Sequence, residues 1–270
     1  MPELTLDYRH CNRMRPLYVK HHEIEAIAAY ARQQLVGSDD DAIALDTLCQ
    51  IDRLRVNGID FTLEISTACE VHDEEGNFVF GICEYDPSLP DTAMLCVSPV
   101  GEKLSPLLAL STLAHELGHV VFDAPGWIAD GSRGPDLFET QEPSGHRAYR
   151  TMTPDVEHLA KSPVQSALSY DEYFAELRAN EFMGSLLVPR RRLTEVVEEV
   201  APLYDVSLHW EPSLDPEIPS AQPYLTSEGE DGYFAMDSLQ RTLASRFGVN
   251  PRFIQVRLER YGLCRSLGRY

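Results

Sequence analysis

Residues 115–119 read His-Glu-Leu-Gly-His, two histidines four apart with a glutamate directly after the first. Positions i and i+4 of a helix lie on one face, so His115 and His119 can offer two imidazole nitrogens to one metal ion. Glu116 is turned by about 100° from His115 on a 3.6-residue helix, which sets it beside the metal and not on it. A Zn2+ ion lowers the pKa of the water it binds to about 7, supplying a nucleophile at neutral pH. On this reading Glu116 is the catalytic residue that activates a zinc-bound water. The small Gly118 permits close approach of another backbone or of substrate beside the ligands. The competing reading is a buried helix whose two histidines bond to neighbours.

A catalytic zinc needs a third protein ligand and one position left open. The extended HExxHxxGxxH pattern is excluded, because position 125 is proline. The other histidines, His10, His21, His22, His72, His146, His158 and His209, have no fixed spacing to the pair. A carboxylate on a later helix is the other known solution, and residues 171–187 offer Glu172, Glu176 and Glu181. Glu176 lies between the core positions Phe174 and Leu177, where a carboxylate is costly unless paired or coordinating. It is the preferred ligand; the alternative is an exposed helix face with a Glu176–Asn180 pair. Tyr170, Tyr173, His146 and His158 are candidate donors to the oxyanion of a tetrahedral intermediate.

These residues need elements to position them. Residues 22–35 place Ile24, Ile27, Ala28, Ala31 and Leu35 at helical spacing, and Ala42–Arg53 reads as a second, shorter helix. Residues 59–65, 77–85 and 92–98 read as strands of a small antiparallel sheet. The segment 104–122 is an apolar helix carrying the histidines, and 169–189 a second strong helix ended by Pro189. Residues 123–165 are polar and rich in Gly, Pro and Ser, which marks a lid or an insertion. The segment 201–235 is acidic and proline-rich, the composition of a linker or loop; residues 236–270 hold a helix-turn-helix-like pair. The first domain is thus read as 1–200.

Composition narrows the setting. A net charge of −20 opposes non-specific binding to nucleic acid or to an anionic membrane. No apolar run of membrane-spanning length occurs, and no secretory signal opens the chain. None of the six cysteines forms a CxxC pair, which favours a reducing cytoplasm over a disulfide scaffold.

The two motifs resemble those of the ImmA/IrrE family of zinc metallopeptidases. That family joins an amino-terminal helix, a small sheet, an AHELGH helix and a downstream ExxANxFAxxLLxP helix. This chain reads AHELGH at 114–119 and ELRANEFMGSLLVP at 176–189, with Met183 where the family has a small alanine. The resemblance implies an α+β, zincin-like metallopeptidase core with its small antiparallel sheet packed on the helices that carry HELGH and the glutamate. It implies one Zn2+ per chain on His115, His119 and Glu176, with Glu116 as general base. It also implies a zinc-dependent endopeptidase whose protein substrate is a repressor-type transcription factor with a helix-turn-helix, often of a mobile element or stress response. The 57 residues from His119 to Glu176 exceed what the family leads one to expect, which again marks 123–165 as inserted.

An extended substrate is expected to pair with an exposed strand beside the histidine helix, and residues 92–98 are the candidate. Two other functions are open to the sequence. One is direct DNA binding through 239–262, where Arg241, Arg246, Arg252, Arg257 and Arg260 flank a Gly-Val-Asn turn, although the net charge disfavours it. The other is a metal-bound but proteolytically inactive regulatory protein that binds a repressor through the same cleft.

Overall fold

The computed structural model describes residues 3–37, 40–73, 75–132, 147–151, 169–211, 222–227 and 232–264. Two compact units divide it, Met1–Leu187 and Val188–Tyr270.

In the first unit the elements are β1 (Glu3–Leu6), α1 (His21–Leu35), α2 (Leu45–Cys49), β2 (Arg53–Val56) and β3 (Ile59–Ser66). Next come β4 (Val71–His72), β5 (Phe78–Val79), β6 (Gly81–Tyr85), β7 (Thr92–Val97), α3 (Pro106–Phe122) and α4 (Ala124–Gly131). The unit closes with β8 (Arg147–Thr151) and α5 (Tyr170–Leu187). Helices and strands alternate without a repeating βαβ order, which is an α+β arrangement. Among the described residues no helix is long and apolar enough to cross a membrane.

Six strands form one sheet in the order β1-β2-β3-β7-β6-β8. It is mixed and not simply antiparallel: β1 with β2 and β3 with β7 run parallel, while β2–β3, β6–β7 and β6–β8 are antiparallel. The expected short helix over Ala42–Arg53 shrinks to five residues, and β2 begins at Arg53. Asn57 and Gly58 both have positive φ, 53° and 79°, the hairpin turn that an Asn-Gly pair favours between β2 and β3.

The structure also overturns the expected substrate strand. Strand β7 is interior, with Ile65 of β3 and Cys83 of β6 both registered on Leu95, so residues 92–98 present no free edge to a substrate. Along this strand Ala93, Leu95 and Val97 are buried, as a strand under a helix requires. The outer edge on this side belongs to β8, drawn from the stretch read as a lid or insertion. The remainder of 123–165 beyond Ser132, other than 147–151, lies outside the described residues.

Helix α3 starts cleanly because Ser105 Oγ accepts from the Leu108 amide at 3.2 Å and Pro106 sits in the first turn. From Ala109 to Phe122 every residue is buried. At its far end the Tyr8 hydroxyl donates towards the Val121 and Phe122 carbonyls, at 3.0 and 3.2 Å, occupying groups that a helix end leaves unsatisfied. Helix α5 opens on a reciprocal cap, with Ser169 N–H donating to Glu172 at 2.7 Å and Glu172 N–H to Ser169 Oγ at 3.3 Å. Its last turn is held by the buried Arg32 of α1, whose guanidinium donates to the Leu186 carbonyl at 2.7 Å.

In the second unit α6 (Arg190–Val200) runs into a 3-10 turn (Ala201–Tyr204), then β9 (Val206–Glu211), β10 (Gln222–Ser227), α7 (Gly232–Phe247) and α8 (Pro251–Arg260). Part of the acidic segment 201–235 is therefore a two-stranded antiparallel ribbon and not a linker, and the unit boundary falls at Leu187 and not at residue 200. The reason lies in α6, whose apolar stripe Leu193, Val196, Val197 and Val200 is buried and which packs against α7 of the same unit. Helices α7 and α8 meet at Gly248, whose φ of 65° ends α7, and Asn250 caps α8 by accepting from the Arg252 amide at 2.9 Å.

Candidate metal centre

Gly118 lets the two key helices touch. A Cβ built at this position would lie 2.7 Å from the Ala179 Cα and 3.0 Å from its carbonyl oxygen, so only glycine allows α3 to approach α5 this closely. One turn from that contact on each helix stand His115 and Glu176, with His119 beside them. Their ligand atoms converge: His115 Nε2 and His119 Nε2 are 3.2 Å apart, and Glu176 reaches each at 3.3 Å, through Oε2 and Oε1 respectively. These three residues form a group able to hold a metal ion.

The distances allow a direct test of fit. A tetrahedral zinc with bonds of about 2.0–2.1 Å separates its ligand atoms by about 3.3 Å, which follows from the geometry of the tetrahedron. The Nε2–Nε2 separation of 3.2 Å falls at that value, and each imidazole has a Glu176 oxygen at 3.3 Å, a different oxygen for each.

Both imidazoles are oriented from behind. His119 Nδ1 lies 3.0 Å from Asp123 Oδ2, and a carboxylate only accepts, so Nδ1 carries the proton and Nε2 faces the ligand cluster. Asp123 is itself held by Arg178, which donates to Oδ1 at 2.9 Å. His115 Nδ1 lies 3.0 Å from Asn180 Oδ1, which places the same tautomer there. Asn180 therefore serves His115, in contrast to the Glu176–Asn180 pairing weighed from sequence.

Electrostatics follow from this packing. Burial pulls the His119 pKa down, but hydrogen bonds to Asp123 and Glu176 outweigh it, and the group is pushed up to about 10 in the metal-free protein. For Glu176 burial acts upward, but the hydrogen bonds and charges of His115 and His119 hold its carboxyl far below the usual range. The two other glutamates of α5 are placed elsewhere: Glu172 is exposed at the cap, and Glu181 is buried with a hydrogen bond from Ser185 at 3.2 Å.

Glu116 is fully buried, 0% exposed. Strand β6 passes close over it, since a Cβ at Gly81 would lie 3.1 Å from both its Cγ and its Oε1. A bulkier residue at position 81 would push into the carboxylate.

Of the four candidate oxyanion donors, His146 and His158 lie outside the described residues. Tyr170 is 77% exposed with its ring on Phe174, and Tyr173 packs on the same ring. The tyrosine that the structure brings to the histidines is Tyr149 of β8, whose ring lies flat on His119 at 4.1 Å between centroids and 10° between planes. It also stacks on Trp127 of α4 at 5.6 Å. Burial and the charge of Asp123 raise its phenol well above the ordinary value, so it stays protonated.

Sequence reasoning missed Asp123, Arg178 and Tyr149. Asp123 had a signal, since it stands four residues after His119 and so on the same helical face. Tyr149 had none, because its place depends on a strand pairing distant in sequence. Comparison with known proteins is silent: no family model and no curated sequence matches this chain.

Proposed function

We propose that this protein is a zinc-dependent endopeptidase with a zincin-like core. The observation that carries the reading is the convergence of two Nε2 atoms and one carboxylate at the spacing of zinc ligands. Two histidines and one glutamate leave a fourth position for chemistry, the ligand set of catalytic rather than structural zinc. When bound, zinc polarises the scissile carbonyl and makes water acidic enough to attack it.

The chain's own residues supply the rest. Glu116, next to the first ligand on the same turn, takes a proton from the attacking water on its carboxylate and returns it to the nitrogen of the departing amine. Asp123 and Asn180 keep the imidazoles from turning, so the ligand nitrogens need no reorganisation. Tyr149 and Trp127 cover the His119 side and exclude bulk solvent from it. The substrate is a protein, and the motif resemblance points to a helix-turn-helix repressor.

Direct DNA binding finds less support in the second unit. Arg241 pairs with Asp237, Arg246 with Glu199 and Arg252 with Gln255, while Arg257 is buried against Tyr261. Phe247, Phe253, Ile254, Val256 and Leu258 are core. Arg241 and Arg246, already bound to carboxylates, release few counterions from a phosphate backbone.

Elemental analysis of purified wild type, Glu176→Ala and Glu116→Gln tests the reading. About one zinc per chain is expected in wild type and Glu116→Gln, with marked loss in Glu176→Ala. Peptide hydrolysis should fall by about 10²–10⁴ in Glu116→Gln, the usual worth of a general base. A folded wild type that takes up no zinc would end the proposal.

A further inference from the structure

Strand β8 crosses the metal centre in the manner of a bound peptide. It lies antiparallel on β6, with Thr151 opposite Gly81, Tyr149 opposite Cys83 and Arg147 opposite Tyr85. Gly81 is the residue whose backbone closes over Glu116. Two residues back along β8, the Tyr149 ring rests on His119. One five-residue extended segment thus passes both the base and a metal ligand.

An extended peptide binds an open sheet edge through main-chain hydrogen bonds, and alternate side chains give specificity. Without β8, the open edge beside Glu116 would be β6. With β8 in place that edge is taken, and the sheet ends one strand further out.

We propose that residues 147–151 occupy the peptide-binding edge of this protein as a built-in competitor. The site is the β6 edge, Gly81–Tyr85, and its ligand is an extended polypeptide running antiparallel to β6 with an aromatic side chain over His119. Substrate enters only when β8 leaves. Because β8 is tethered, it competes at an effective concentration in the millimolar range, so the intact chain is a slow enzyme towards free peptides. Calling the occupant a competitor of substrate rests on the peptidase reading above; the existence of the strand site does not.

The test uses the full-length zinc-loaded chain and a double variant, Ala148→Pro with Tyr149→Pro. Adjacent residues of a strand point their N–H groups to opposite sides, so two consecutive prolines remove a ladder donor facing β6 in either phase. The probes are a synthetic peptide of sequence 145–153 and β-casein. Amide exchange at Gly81–Tyr85 should quicken by about tenfold or more in the variant, and millimolar peptide should restore protection. Casein hydrolysis should rise by about tenfold over wild type and be inhibited by the peptide. A variant with native zinc content and circular dichroism that keeps its β6 protection, or refuses the peptide, overturns the proposal. Peptide binding without casein cleavage by either protein leaves the strand site standing and overturns the claim that departure of β8 is what admits substrate. Should the double variant fail to fold, Tyr149→Ala replaces it, with tighter peptide binding than wild type expected and equal binding overturning the idea.

Discussion

Asp123 Oδ2 accepts the Nδ1 proton of His119 at 3.0 Å, one helical turn beyond it, while Oδ1 receives Arg178 from α5 at 2.9 Å. A single carboxylate therefore sets the tautomer of His119 and ties together the two helices that supply His115, His119 and Glu176. Replacing it by Asn keeps the shape and removes the charge. Asp123→Asn should weaken zinc binding by about 10–100-fold, the usual cost of losing a partner behind a metal ligand. A chelator-competition titration reads this directly, and an unchanged zinc affinity would show that the pair is structural only.

Asn180 plays the corresponding part for His115. Asn180→Leu should reduce zinc affinity by about tenfold or more while leaving the helix intact, because leucine is the better helix former. A Co2+-substituted protein whose absorption spectrum matched wild type would contradict that role.

Gly118→Ala tests the helix contact itself. The added methyl meets the Ala179 backbone at 2.7 Å, and backbone cannot swing aside as a flexible side chain can. Over-packing of this kind costs about 1–3 kcal/mol. The melting temperature should fall, and zinc affinity with it, since His115 and Glu176 each stand one turn from that contact on α3 and α5. A variant of unchanged melting temperature would mean the helices do not pack as described.

Zinc uptake should be pH-dependent in a defined direction. His119 is pushed up to about 10 in the metal-free protein, so at pH 7–9 zinc must displace a proton from it. Affinity should rise by about tenfold per pH unit through that window, with about one proton released per zinc bound. The same shift acts on the stability of the metal-free chain. Its contribution is fully present below the ordinary histidine value of about 6.5 and is lost as pH rises through the folded value. Glu176 works from the other side, its contribution present above the ordinary carboxylate range and lost as pH falls towards its depressed value. Melting curves of metal-free protein between pH 6 and 10.5 should therefore decline on the alkaline side, and a flat profile there would refute the assignment for His119.

Much of this site was legible in the chain because its geometry is local. His115 and His119 share a helical face by spacing alone, and Ser105-Pro106 marks where that helix begins. Glu176 stood out as a carboxylate among apolar positions. The sheet was harder. Strand β3 announces itself by alternation and β6 and β7 by β-rich composition, but β2 hides before its Asn-Gly turn and next to a helix-like stretch. Strand β8 owes its conformation to β6, some 60 residues earlier in the chain, and strand formation of that kind depends on its neighbours more than on its own residues. Tyr149 was invisible for the same reason. The interior position of β7 could not be read either, since strand order is a property of the whole sheet.

Arg32 grasps the Leu186 carbonyl, 154 residues away along the chain. Helix α1 is therefore finished early in synthesis and must wait for the end of α5 before its guanidinium finds that partner. His115 and His119 likewise wait for Glu176. A chain being made from its amino terminus carries the histidine helix for a long interval before Glu176 exists, so the three-residue group is completed late and all at once. If the peptidase reading holds, the order of residues along the chain keeps the growing polypeptide inert until α5 has emerged.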